Sequence, residues 1–343
     1  MKRAGTNIYI QNGIENIDRE KWSNFLLNHP AGNIFQTSEF FNVYRETKNY
    51  EPIFLYAIDD KNDLLGILLS VIIKSNGGIL GRFSSRTIIF GGPIVRENDG
   101  RIINMLLGEF NKIIKKESIY SQIRNFVYFD NKKAFLDNGY YFDEHLNIVI
   151  DLSKTEDELW KEVSQKRRNE IRKAQREGVK VMLDNSFEAL RDCYQILKEV
   201  YRNARLPLAS LEFFCNLKEQ LSSNTNTKFL LFVAKYENKI IGCMLALGYK
   251  NVIYDFYAGA LHQYYKKYSN DLIPWEIFLW GKKEGYTIFD FGGAGKPGVP
   301  YGVRDYKKQF GGELINWGRF QAVHKPKTFK VSKFIFELYQ KIF

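Results

Sequence analysis

Apolar and polar positions in this chain follow two periods that alternate along its length. Trp22, Phe25 and Leu26 fall at helical spacing and predict a helix over 18–28. Ser38 reads as the N-cap of a second helix carrying Phe41 and Tyr44. Two apolar runs, 51–59 and 64–74, flank the polar turn Asp59-Asp60-Lys61-Asn62-Asp63 and predict a hairpin. A strand over 88–95 follows, interrupted in composition by Gly91, Gly92 and Pro93, then a helix over 100–117 and a strand over 123–130. A second series begins with one long helix over 156–177, closed by Gly178. Helices over 187–203 and 211–221, strands over 228–236, 239–249 and 252–260, a helix over 272–284 and a strand over 287–291 complete it.

The two series echo each other. The hairpin Phe54 to Ser70 is similar to Phe229 to Leu247, pairing Ala57 with Ala234 and Gly66 with Gly242 at offsets of 177 and 176 residues. Gly92 then matches Gly259, and the run Phe126 to Asp130 matches Tyr286 to Asp290. The same order of elements occurs twice, which predicts a duplicated α/β domain. The expected domains are 1–150 and 151–325, with 326–343 as a helix folding back on the first through Phe329, Phe336, Tyr339 and Phe343.

Bulk properties narrow the class of function. The chain has 343 residues and a formal charge of +11, which points to nucleic acid, phosphorylated substrates or an anionic membrane face without choosing among them, a merely soluble basic protein being the plain alternative. Cys193, Cys215 and Cys243 form no paired motif, and four scattered histidines show no metal-ligand spacing, so neither a disulfide framework nor a zinc site is expected. The N-terminus lacks the apolar core of a signal peptide and no run reaches membrane-span length, so the expected location is the cytoplasm, with peripheral contact at the inner membrane face as an extension.

Several groups of residues carry candidate chemistry. Arg168, Arg172 and Arg176 share one helix face suited to phosphate oxygens, although a solvated basic face is the plain alternative. Gly292 and Gly293 follow a strand and let backbone approach a ligand, but the segment is no Walker loop because Pro297 stands where Ser or Thr is needed. Strand alternation places Tyr254 on one face and Asp255 and Tyr257 on the other. Asp255, Asp290 and Asp305 are candidate proton acceptors, and no Ser/His/Asp or Cys/His nucleophile set is present. Direct attack of an acceptor amine or hydroxyl on an activated acyl carbonyl is therefore the expected route.

Five stretches together resemble a known group: NIFQTSEF, QKRRNEIRKAQREGVKV, YDFYAGA, WGKKEGYTIFDFGG and DYKKQFGGEL. Their order and spacing are similar to the FemABX family of peptidoglycan interpeptide-bridge enzymes and the related BioF2-like acetyltransferases. The resemblance implies two tandem GNAT domains, each a mixed, mostly antiparallel sheet flanked by helices, with transfer in the second. It implies an acyl or aminoacyl transferase acting on a cell-envelope precursor. The co-substrate would be aminoacyl-tRNA or acyl-CoA, with no tightly bound cofactor, and the acceptor a nucleotide- or lipid-linked sugar.

Lys307 occupies the family's Lys-x-x-Phe-Gly position, where its ammonium would stabilise negative charge on the transferred acyl carbonyl or hold donor phosphates, with Tyr301 and Tyr306 before it and Phe310 after. A tyrosine on the 252–260 strand, Tyr254 or Tyr257, would line the acceptor cleft. In the first domain Gln36 and Tyr44 take acceptor-binding positions. There the family often has a Trp and a Lys where this chain has Phe40 and Tyr44, a departure bearing on nucleotide-linked acceptors. The glycine-containing pyrophosphate loop of acyl-CoA enzymes is also missing from His262 to Glu276; Lys266, Lys267 and a Ser269 cap are the available substitutes. N-acetylation of an amino sugar is the competing enzymatic reading. A nucleic-acid-binding protein is the reading from another class, but the basic helix lacks stacking aromatics, and DNA is not an expected partner.

Overall fold

The computed structural model describes residues 7–74, 85–129 and 131–342, excepting the side chains of 336–342. In chain order the first elements are β1 (Ile8–Asn12), α1 (Arg19–Asn28), α2 (Ser38–Arg45), β2 (Tyr50–Asp59), β3 (Leu64–Ile73), β4 (Arg86–Phe90) and β5 (Ile94–Val95). Then come α3 (Gly100–Glu117), β6 (Tyr120–Arg124), α4 (Lys132–Asp137) and β7 (Tyr141–Asp143). The second series is β8 (Leu146–Asp151), α5 (Glu156–Glu162), α6 (Gln165–Arg176), β9 (Lys180–Leu183), α7 (Phe187–Asn203) and α8 (Leu211–Ser222). It continues with β10 (Thr227–Tyr236), β11 (Lys239–Tyr249), β12 (Val252–Ala260), α9 (Ser269–Lys283), β13 (Ile288–Gly293), α10 (Gly302–Lys308) and β14 (Glu313–Asn316). The chain closes with β15 (Arg319–Val323) and α11 (Pro326–Ile342).

Two compact units result, Met1–Glu144 with Trp317–Phe343, and His145–Asn316. The first sheet runs β1-β2-β3-β4-β6-β15-β7, with β5 paired to β3; the second runs β14-β8-β13-β12-β11-β10-β9. In each, a parallel pair (β4 with β6, β12 with β13) sits among antiparallel neighbours. The unit boundaries differ from the expected 150/151 and 325. β8 is an interior strand of the second sheet, and β15 hydrogen-bonds between β6 and β7 in the first.

The repeated hairpins explain the sequence echo. Ala57 lies opposite Gly66, and Ala234 opposite Gly242, and in both hairpins the register slips just beyond the alanine. Each glycine admits a close neighbour. A Cβ on Gly66 would stand 2.7 Å from Val95 and 3.1 Å from Ile102 at the start of α3; one on Gly242 would stand 2.7 Å from Ser269 Oγ at the start of α9. The first hairpin is closed by Asp59, whose carboxylate accepts the N–H groups of Lys61 and Asp63 at 2.9 Å. Apolar stripes fill the cores: Ile103, Leu106, Leu107 and Phe110 of α3 against Leu55, Leu68 and Phe320, and Phe278 of α9 against Ile253, Phe289 and Phe291.

Four expected elements are revised. The strand over 88–95 is two, β4 and β5, because Gly91 turns into the left-handed region (φ 59°). The strand over 123–130 begins earlier and ends at Arg124; Asp130 lies outside the described residues. The second helix is capped by Thr37 rather than Ser38, the Thr37 hydroxyl accepting the N–H of Phe40 at 3.3 Å. The helix over 156–177 is α5 and α6, divided at Val163-Ser164. Ser164 caps α6 by accepting the N–H of Arg167 at 3.3 Å and donates its own N–H to Gln309 O at 2.8 Å. Of the residues expected on the inner face of α11, Phe329 meets Tyr120 edge-on at 5.3 Å; the side chains of Phe336 and Tyr339, and residue Phe343, lie outside the described residues.

Candidate active site

In the second unit the parallel strands separate. β12 and β13 pair only from Val252 to Tyr254 and from Ile288 to Asp290, although both continue. Two irregularities open the gap. On β12, Asp255 faces Ala246 and Tyr257 faces Leu245, leaving Phe256 as the extra residue of a bulge. On β13, register with β8 shifts between Asp290 and Gly293, with Gly292 at φ 69°. In the first unit β4 and β6 pair over the full length of β4, from Arg86–Tyr120 to Phe90–Arg124, and no such opening forms.

Lys307 of α10 fills the opening. Its ammonium donates to Phe291 O and, at 3.4 Å, to Gly293 O, and lies 3.9 Å from the Asp255 carboxylate. Both side chains are largely covered, at 13% and 11% exposed. An ammonium carries three donors; two directed at β13 fix its orientation and leave one for a ligand. Burial pushes the Asp255 carboxyl up, and Lys307 opposes that rise. Asp290 is affected in the same direction. Burial pushes it up to about 6, against the N–H of Gly292 at 2.7 Å and the Asn147 amide at 3.4 Å, both donating to Oδ1. Tyr254, in register with Asp290, has its hydroxyl pushed up by burial and then by that carboxylate.

Around this centre the sequence candidates divide. Tyr306 donates to Asn270 O at 2.5 Å, and Phe310 is buried against Phe291. Tyr301 is 41% exposed, with its ring at Gly295, where an added Cβ would stand 2.9 Å away. Tyr257 packs edge-on to Phe214 at 4.8 Å and beside Tyr201 at 5.6 Å. Asp305 is exposed on α10 and does not join the other two carboxylates. Arg168 and Arg172 serve α5 instead: Arg168 bonds Trp160 O and Lys161 O at 3.1 and 3.2 Å, closing that helix's C-terminus, and Arg172 lies 5.3 Å over the Trp160 ring.

In the first unit Gln36 is wholly buried and tied to backbone. Its amide donates to Leu69 O and Phe90 O at 2.9 and 2.7 Å and accepts Leu69 N–H at 2.7 Å, joining β3 to the end of β4. Gln36→Leu would strand these groups and is expected to lower stability by roughly 3 kcal/mol, read by denaturant unfolding. Tyr44 is buried between Phe40 and Tyr50.

Three contributors had escaped the sequence reading. Arg304 pins the glycine-rich loop through Lys296 O at 2.8 Å and Val299 O at 2.5 Å. Tyr201 of α7 has its hydroxyl pushed up by burial and then by Asp255, with Tyr301 adding a smaller contribution. Arg167 is buried on α6 in line with Ile171 and Ala174, a spacing that marked it as inward-facing. Among the described residues no cluster of His, Cys, Asp and Glu forms a metal site.

Residues 162–308 match the family model described as an acetyltransferase (GNAT) domain. The chain is 22% identical over 297 residues to a UDP-N-acetylmuramoylpentapeptide-lysine N(6)-alanyltransferase of Weissella viridescens, covering 80% of this chain and 83% of that protein. The crystal structure of FemX superposes with a TM-score of 0.70 at 15% identity, covering 94% of this chain and 99% of FemX. The structure of L-PGS from Bacillus licheniformis gives 0.58 at 18%, covering 95% and 96%. The chain therefore has the tandem GNAT acyltransferase fold, and its resemblance to the FemABX family extends across both units.

Proposed function

We propose that this chain transfers an aminoacyl group from aminoacyl-tRNA to an amine of a peptidoglycan precursor. The observation carrying this reading is Lys307, held by two β13 carbonyls in the opening between β12 and β13, with Asp255 and Asp290 beside it. In such a transfer the acceptor amine attacks the ester carbonyl, a C–N bond forms, and the C–O bond to the ribose breaks. Lys307 would stabilise the oxyanion through its remaining donor. Asp290 would take the amine's proton on Oδ2, the oxygen without a bond among the described residues, and that proton would pass to the ribose oxygen as the C–O bond breaks, returning Asp290 to its carboxylate form. Asp255 would help hold the Lys307 ammonium in place.

The α9 N-terminus favours this donor over acyl-CoA. A pyrophosphate would need free N–H groups and a positive helix end there. Instead Asp271 occupies the first turn, Tyr268 precedes it in the left-handed region (φ 54°), and Ser269 Oγ is pressed against Gly242. A cavity of about 450 Å³ beside Tyr201 is lined by Tyr194, Gln195, Leu206 and Leu208 and carries Lys198 and Arg202 together with one carboxylate, Glu199, so that cations outnumber anions on its wall. No helix among the described residues is long and apolar enough to cross a membrane. The reading places the chain in the cytoplasm, where aminoacyl-tRNA is found, with peripheral membrane contact where the acceptor is lipid-linked.

The test is incubation with labelled aminoacyl-tRNAs or acetyl-CoA, each with UDP-linked muramoyl-pentapeptide, its lipid-linked form or an amino sugar. Label moving from aminoacyl-tRNA to a pentapeptide amine is expected. Transfer from acetyl-CoA alone would replace the reading with N-acetylation.

A further inference from the structure

A buried cation distinct from Lys307 lies at the root of α10. The Arg167 side chain is 7% exposed, and its guanidinium pairs with Asp271 of α9 and with Glu170 at 3.0 Å. Its other terminal nitrogen donates to Gln309 Oε1 at 3.2 Å. The guanidinium carbon stands 4.7 Å from the Tyr306 ring and 5.3 Å from the Phe310 ring. A cation near the N-terminus of α6 opposes the helix dipole, and a buried one costs several kcal/mol unless compensated. Asp271, Glu170 and the two rings supply the compensation, so these groups are bound to one another through Arg167.

The consequence falls on α10, which spans seven residues from Gly302 to Lys308 and buries none of them fully. Such a helix cannot be placed by a core of its own. Its C-terminal end is placed by Tyr306, Gln309 and Phe310, and each of the three touches Arg167. Two further bonds close the cage: Tyr306 Oη to Asn270 O at 2.5 Å and Ser164 N–H to Gln309 O at 2.8 Å. Lys307 lies between Tyr306 and Gln309.

We infer that Arg167 is a positioning residue for the transfer centre, holding α10 so that the Lys307 ammonium stays on the β13 carbonyls. This rests on the reading of Lys307 as the oxyanion-stabilising group. Misplacement of such a group by about 1 Å costs on the order of 10²-fold in rate, so loosening the cage should lower kcat and leave acceptor KM near its wild-type value.

The experiment measures Lys307 directly. The whole protein is trace-labelled with acetic anhydride, and modification of Lys307 is compared with that of the exposed Lys308 by fragment-ion mass spectrometry. In wild type Lys307 should label about tenfold less than Lys308, as a covered, bonded amine does. In folded Arg167→Met the ratio should rise to within about twofold of one, with kcat reduced at least tenfold. Arg167→Lys keeps the charge and loses the planar fork; it should fall between, and it serves where the Met variant does not fold. A wild-type labelling ratio in a folded variant overturns the inference, as does a changed ratio with unchanged kcat. Labelling needs no substrate, so it decides the link between Arg167 and Lys307 even if wild type transfers nothing, an outcome that would strike the function instead.

Discussion

Lys307→Ala is expected to lower the transfer rate by about 10²–10³, corresponding to ~2–4 kcal/mol of lost transition-state stabilisation. The expectation follows from how the ammonium is held. Two of its donors are spent on Phe291 O, inside the irregularity of β13, and on Gly293 O, where pairing with β8 resumes. Asp255 faces it at 3.9 Å. The charge is therefore oriented before substrate arrives and needs no reorganisation as negative charge develops. Lys308→Ala is the control, because Lys308 is exposed one residue on; its rate should stay within about twofold of wild type, as for a surface charge screened by solvent. Some stability will be lost with Lys307 as well, since Asp255 is left covered without its partner. Lys307→Arg separates the effects: it preserves a cation for Asp255 but cannot place a single ammonium on the two carbonyls. Rate loss with restored melting temperature in the Arg variant supports the assignment. Equal, mild losses for Lys307→Ala and Lys308→Ala would mean that the segment supplies only general basic charge.

Much of this arrangement was legible from the sequence, for identifiable reasons. The hairpin repeat could be read because Ala57/Gly66 and Ala234/Gly242 answer a local demand, the approach of a following helix, that any copy of the fold must meet. Lys307 and Phe310 could be read because motif spacing fixes them relative to a short helix. What escaped was decided by long-range packing. Ser164 divides one predicted helix into two by bonding Gln309, 145 residues away, and nothing local announces it. Arg168 drew attention as a cation on a basic face, yet its neighbour Arg167 shares the apolar stripe with Ile171 and Ala174 and is the one buried. Gln36 was named as a ligand contact through the family resemblance of NIFQTSEF; in the structure its amide satisfies backbone groups that β3 and the end of β4 leave open on both sides. In both Arg168 and Gln36 a polar side chain serves other protein groups, which composition and periodicity do not distinguish from serving a substrate.

Asp290→Asn should make the protein more stable and less active at once. Burial raises the Asp290 carboxyl to about 6 from the ordinary value of 3.8. A folded-state value above the unfolded one means that the folded protein binds the proton more tightly. The contribution to stability is then fully present below pH 3.8, declines as pH rises to about 6, and is absent above it, where the folded state must hold a buried charge. At about 1.4 kcal/mol per unit, the span is roughly 3 kcal/mol. The asparagine has no charge to hold, and its carbonyl oxygen still accepts the N–H of Gly292 that Oδ1 accepts now. At pH 8 the variant should therefore gain roughly 1–3 kcal/mol, and the gain should vanish towards pH 4. Retaining such a costly carboxylate makes sense where its proton affinity is used. If Asp290 takes the amine's proton, wild-type kcat should fall as pH drops through about 6. The asparagine variant should lose about 10²–10⁴ in rate, with no inflection there. Denaturant unfolding and kcat measured from pH 4 to 8 on both proteins read the two effects together. A stabilised Asp290→Asn protein with full activity would exclude Asp290 as the proton acceptor and leave Asp255, the other carboxylate at the opening, to be tested as Asp255→Asn.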